Sequence, residues 1–165
     1  MAKLNIVKYG DDILRKVCRP VDEITPKIIT LLDDMIQTMR EADGCGLAGP
    51  QVGVLRRIAV IEAEPGVVHE LINPKIVAYS SERAEDVEGC LSCPGSYGYV
   101  SRPKSVTLRA TNRHGEEYEL TADGLLARAI FHECDHLDGK IFTDIMTRPY
   151  NPDEEEKQGK KRRRK

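Results

Sequence analysis

His132-Glu133-Cys134-Asp135-His136 spells H-E-x-x-H, a string in which every fixed position has a chemical use. On a helix, residues four apart share a face, so His132 and His136 can reach one metal ion while Glu133 serves a water beside it. Two ligands do not make a site, and the third must come from elsewhere. Proteases of the H-E-x-x-H type take it downstream, from a histidine or a glutamate on a later helix. After His136 there is no histidine, and the only glutamates are Glu154, Glu155 and Glu156 in a highly charged terminal stretch.

Upstream, His69 and His114 qualify by type, but each lies beside turn signals where a solvated imidazole is the ordinary outcome. Cys90 differs. The segment Glu88-Gly89-Cys90-Leu91-Ser92-Cys93-Pro94-Gly95 places a thiol among glycines that allow close approach to a helix. Its Cys90-x-x-Cys93 spacing opens a competing reading, a closed and purely structural Cys2His2 zinc site. Ligand chemistry favours the open Cys-His-His set, because a structural site has no use for Glu133 and Pro94 constrains Cys93 toward extended backbone.

The elements around them must position these residues. Thr25-Pro26 begins an amphipathic helix with a capping hydroxyl and proline at the first position, and Ile28, Ile29, Leu31, Leu32, Met35, Ile36 and Met39 follow at helical spacing as core. A second, largely buried helix is expected from near Asp123-Gly124 through His136 to a stop at Asp138-Gly139. Between them, residues 57–62, 71–72, 75–80, 105–112 and 116–121 read as short strands, the last two joined by a hairpin at Arg113-His114-Gly115, which makes the sheet at least partly antiparallel. Residues 44–53, rich in glycine, read as an extended segment; with no Gly-Lys-Ser/Thr ending they are a poor phosphate loop.

Composition sets the bounds. At 165 residues, 40% apolar and 32% charged, the chain has the profile of one soluble domain able to bury a core without disulfides. Five cysteines without framework spacing, no apolar run of membrane length and no signal-peptide pattern predict a reducing, cytoplasmic setting. The net charge of -2 hides an asymmetry, since seven of the 25 basic residues and four of the 27 acidic ones fall in 151–165, ending in a basic block at 160–165. Such a block is ordinarily solvated and disordered.

Together the strings resemble the peptide deformylase family. Gly44-Cys45-Gly46-Leu47-Ala48-Gly49-Pro50-Gln51 is similar to G-x-G-L-A-A-P-Q, Glu88-Gly89-Cys90-Leu91-Ser92 to E-G-C-L-S, and the helix string to H-E-x-x-H, in that order along the chain. Two positions depart: Gly49 stands where the family has alanine, and Cys93 where it usually has an apolar residue. The resemblance implies an α+β fold of mostly antiparallel β-sheets packed around a central C-terminal helix carrying H-E-x-x-H. It implies a catalytic domain over 1–148 followed by a charged tail, 149–165, expected to be disordered.

The implied reaction is removal of the formyl group from N-terminal formyl-methionine of new proteins, releasing formate. Cys90, His132 and His136 would hold one divalent ion, Fe2+ in the cell, with Ni2+, Co2+ or Zn2+ able to replace it, and water in the fourth position. Glu133 would act as general base and then acid, while the Gln51 side chain and the Leu91 N–H donate to the developing oxyanion. The backbone of Cys45 and Gly46 would pair with the substrate peptide, and Ile130 or Leu126 would line the methionine pocket. The implied partners are formyl-Met nascent peptides and, through the basic tail, the ribosome, with neither a membrane nor DNA. A zinc-stabilised RNA-binding module and a general metallopeptidase remain the alternatives.

Overall fold

Thr25 opens the first helix with its own side chain, whose hydroxyl accepts the Ile28 N–H at 3.4 Å, and Pro26 costs nothing at a position whose N–H has no helical partner. In the computed structural model, which describes residues 2–153, this helix, α1, spans Pro26–Glu41. The chain leaves it through Asp43 at φ 56. The expected extended stretch after Gly44 divides in two: strand β1, Gly46–Ala48, is followed by a 3-10 turn over Gly49–Val52. Pro50 accounts for the change, since its fixed φ and missing N–H suit the first turn of a helix and not a continuing strand.

β1 is the edge of a five-stranded antiparallel sheet ordered β1-β2-β3-β6-β7, with β2 at Ile58–Glu64, β3 at Val67–Tyr79, β6 at Ser105–Thr111 and β7 at Glu117–Asp123. The two runs read at 71–72 and 75–80 belong to one strand, β3. Asn73 stands at the join with φ 50, and its side-chain amide grips Val21 in both directions at 2.8 Å, so a turn signal is absorbed as a bulge. The hairpin between β6 and β7 falls where 113–115 placed it.

β2 is buried on both faces, and its period of two decides what lies on each. Ile58 and Val60 meet Leu32, Met35 and Met39 of α1, whereas Ala59 and Ile61 meet Ala127, Ile130, Cys134 and Leu137 of the second helix, α2, Gly124–Leu137. The sheet therefore separates the two helices. Cys134 serves the core as a small apolar residue. After α2 the chain turns at Gly139, φ 76, where a Cβ would come within 2.4 Å of the Arg15 carbonyl oxygen; only glycine allows that approach.

A second, three-stranded sheet, ordered β4-β5-β8, closes the other side of α2. β4 is Arg83–Cys90, β5 is Cys93–Pro103 and β8 is Arg148–Tyr150. The strand signals in the sequence did not mark β4 or β5, because Arg83-Ala84-Glu85-Asp86 is charged and mostly exposed and β5 begins with proline, glycines and serine. Residues 149 and 150, placed in the charged tail, form part of β8. The basic run at 160–165 lies outside the described residues.

Candidate metal centre and active site

α2 and the β4–β5 turn supply the site. His132 and His136 lie one turn apart on α2 with their rings edge to face, the centroids 5.0 Å from each other. Cys90, the last residue of β4, brings its Sγ to 3.3 Å from His136 Nε2. One ligand atom from each of Cys90, His132 and His136 lies within 4.8 Å of the others, and among the described residues this is the one such convergence of metal-ligating side chains. Cys93, His69 and His114 are not part of it, so the closed Cys2His2 arrangement is not what the fold assembles.

The donor set fits a borderline divalent cation: one sulfur, two imidazoles, and room on the cavity side for a fourth ligand. Burial pushes His136 well below the ordinary imidazole range, which keeps it in the neutral form that binds metal. A hydrogen bond to Cys93 and burial together push the Cys90 thiol far up, so a cation would have to draw off its proton, and uptake would release one.

Glu88 sits two residues before Cys90 on β4 and fixes one of the imidazoles. Its Oε1 meets His132 Nδ1 at 2.9 Å, which turns Nε2 toward the centre. Arg102 from β5 grips the same carboxylate with Nε at 2.9 Å and Nη2 at 3.0 Å, and Arg128 adds Nη1 at 2.8 Å. Burial, the largest single influence, works against the charge, but the hydrogen bonds from His132 and Arg102 prevail and hold the carboxyl at about 2. Arg102 also donates to Asp135 at 2.6 Å, tying β5 back to the H-E-x-x-H helix. In the sequence Glu88 is one letter of a string with no evident task, and Arg102 and Arg128 carry no signal, because their roles depend on a strand pairing the pattern conceals.

Glu133 is 3% exposed, and its Oε1 has no hydrogen-bond partner. Burial, more than the nearby charges, raises its carboxyl to about 7. Its other oxygen lies against the backbone of Gly46, where a Cβ would sit 2.4 Å away. Gly46 is therefore glycine for the sake of Glu133, which leaves no room for a side chain there. Gln51, in the 3-10 turn, accepts the Ala48 N–H at 3.0 Å and directs Nε2 to Cys90 Sγ at 3.4 Å and Ser92 Oγ at 3.1 Å. Leu91 occupies the tight turn between β4 and β5.

Cys45, Gly46, Gln51, Cys90, Leu91, His132 and Glu133 all line one cavity of about 520 Å³, with His136 buried behind. Its apolar wall is not the one expected. Ile130 and Leu126 pack into the core against the large sheet, and Leu125 and Ala129 face the cavity with Val87 and Tyr97. The reason is rotational: 125, 129, 132 and 136 share a helical face, and 126 and 130 each lie about 100° further round than 125 and 129.

The sequence profile of the polypeptide deformylase family matches residues 3–151. A peptide deformylase of Acetivibrio thermocellus is 51% identical over 164 residues, covering 99% of this chain and 95% of its own length. Peptide deformylase 1 of Clostridium acetobutylicum is 52% identical over 146 residues, 88% of this chain and 96% of its own. Among solved structures, the Thermotoga maritima peptide deformylase superposes with a TM-score of 0.86 at 34% identity, covering 89% of this chain and 99% of that one. The Synechococcus elongatus peptide deformylase in complex with actinonin gives 0.84 at 41% identity, covering 95% and 85%.

Proposed function

The chain belongs to the polypeptide deformylase family, and from that premise we propose that it hydrolyses the formyl group from N-terminal formyl-methionine at a Cys90–His132–His136 metal centre, releasing formate and a free amine. The observation that carries this reading is the convergence of three metal donors, two lining one cavity and His136 just behind it, with an unpartnered buried carboxylate and an amide N–H donor. A bound divalent ion supplies Lewis acidity, which lowers the pKa of water from 15.7 toward ~7 and polarises a carbonyl.

The remaining work falls to the chain. Glu133 accepts the proton of the attacking water at its free carboxylate oxygen and delivers it to the departing amine nitrogen as the C–N bond breaks. As the formyl oxygen gains charge, the Gln51 Nε2–H and the Leu91 N–H donate to it. The substrate backbone adds to the outer edge of β1 at Cys45 and Gly46, a side that no other described strand occupies. The methionine side chain lies against Leu125, Ala129 and Tyr97, whose apolar surfaces suit a thioether.

Ferrous iron is the proposed cellular metal, and the cytoplasm the proposed compartment; no described helix is long and apolar enough to cross a membrane. The basic run at 160–165 is proposed as a salt-sensitive contact with ribosomal RNA. Hydrolysis of a formyl-Met peptide by the ferrous protein, compared with its Glu133→Gln variant, tests the central reading. The variant is expected to lose 10²–10⁴ of the rate, on the order of a general base's contribution, while keeping its metal. Undiminished turnover by the variant, or cleavage of internal bonds in unformylated peptides, contradicts it.

A further inference from the structure

We infer that Ser92 is a positioning residue for the hydrolysis, acting through Gln51, and that residues 7–9 lock the pair in register. The inference rests on the proposal that Gln51 donates to the formyl oxygen. The orientation of the Gln51 amide is settled by its neighbours. The Ala48 N–H requires the oxygen end, at 3.0 Å, so the NH2 end points the other way. That group has two hydrogens and two acceptors: Ser92 Oγ at 3.1 Å and Cys90 Sγ at 3.4 Å. One hydrogen is thus spent on a wall residue with zero exposure, and the other is aimed at the metal centre.

The terminal torsion of a glutamine is soft, with no deep rotamer well to hold it. Ala48 fixes one end of the amide, and without the serine hydroxyl the other end can swing about that torsion. A donor that must be found at each turnover stabilises a transition state less than one already in place.

The backbone around Ser92 is tied down to match. The Val7 N–H donates to the Gln51 carbonyl at 2.7 Å and the Tyr9 N–H to the Ser92 carbonyl at 2.8 Å, while Lys8 Nζ reaches the Leu91 carbonyl at 3.4 Å. Residues 7 and 9 of an extended segment present their N–H groups along one edge. One short segment therefore spans the two loops that carry the proposed oxyanion donors, and the Ser92–Gln51 bond closes the bracket from inside.

A double-mutant cycle on the metal-loaded enzyme tests this, using Ser92→Ala, Gln51→Ala and the pair, with formyl-Met peptide as substrate and metal content and thermal melting read for each. Gln51→Ala is expected to lower kcat by ~10²–10³. Ser92→Ala should lower kcat by roughly 10–100-fold with KM within about twofold and metal stoichiometry unchanged. The double variant should be no slower than Gln51→Ala alone. In 15N-labelled protein, the Gln51 side-chain amide protons should exchange slowly in the parent and faster in Ser92→Ala.

An unchanged kcat for Ser92→Ala, or the same fold-loss in both Gln51 backgrounds, overturns the inference. If Gln51→Ala itself costs nothing, the oxyanion reading fails, and the amide exchange still reports whether Ser92 holds Gln51. Should Ser92→Ala not fold, Ser92→Cys keeps the volume with a weak acceptor, and a kcat equal to the parent's would count against the role.

Discussion

Replacing Glu88 by Gln preserves the shape of the side chain and removes its charge, and the cost can be worked from its partners. The carboxylate receives two bonds from Arg102, one from Arg128 and one from His132, all between 2.8 and 3.0 Å and all in a buried setting. Glutamine offers one acceptor oxygen and would aim its NH2 group at a guanidinium or at the imidazole. Neither arginine is left without a partner, since Arg102 retains Asp135 and Arg128 retains the Val100 and Ala84 carbonyls. The loss should therefore sit toward the lower end of the 3–5 kcal/mol typical of a broken buried pair.

Holding the carboxyl at about 2 in the fold, against 4.5 when unpaired, corresponds to about 3 kcal/mol at neutral pH. For a chain of this size that lowers the melting temperature by roughly 6–12 °C. Because the folded value is depressed, this stability is fully present above about 4.5 and is lost as pH falls toward 2. The deficit of the variant should thus shrink by about 1 kcal/mol between pH 7 and pH 4. Urea unfolding of both proteins at the two pH values, with chelator present so that metal release does not contribute, measures it. A deficit under about 0.5 kcal/mol at pH 7, well below the cost of a broken buried pair, refutes the accounting. So does a deficit that does not change with pH.

Gly46→Ala drives a methyl into Glu133, which must retreat about 1 Å from a 2.4 Å approach to reach ordinary contact; turnover should fall ~10²-fold with metal retained, and steady-state kinetics with metal analysis would show it. Cys93→Ser places a hydroxyl among Leu14, Val100, Ile141 and Phe142, so denaturant titration should record a loss of about 1–3 kcal/mol while metal content stays that of the parent. Removing the metal with a chelator should abolish formyl-Met hydrolysis, and ferrous ion should restore it; turnover that survives full metal removal would contradict the proposed centre.

What the sequence disclosed was local. α1 and α2 announced themselves through caps and a 3.6-residue period, and the three strings that line the cavity could be picked out because each is contiguous. β4 and β5 could not, since Asp86 and Glu88 differ little on paper, yet one is exposed and the other buried. Which acid is drawn inside is decided by Arg102 and Arg128, which lie 14 and 40 residues away along the chain. Ser92 was legible as a letter in a string, but its bond to Gln51 spans 41 residues and two elements. The misplaced pocket wall had a different cause, an error of one helix position between 129 and 130.

The free edge of β1 carries a risk along with its use. An open strand edge that pairs with a peptide, as proposed, would accept a neighbouring protein's strand as readily. Here β1 is only three residues long, its Ala48 N–H is already taken by Gln51, and the 3-10 turn at Gly49 ends it. On the proposed function it seats only the first residues of a peptide, and it is too short to seed a growing stack of sheets. The same brevity that would limit how much of a peptide the strand can pair with also guards the edge against pairing with another copy of the chain.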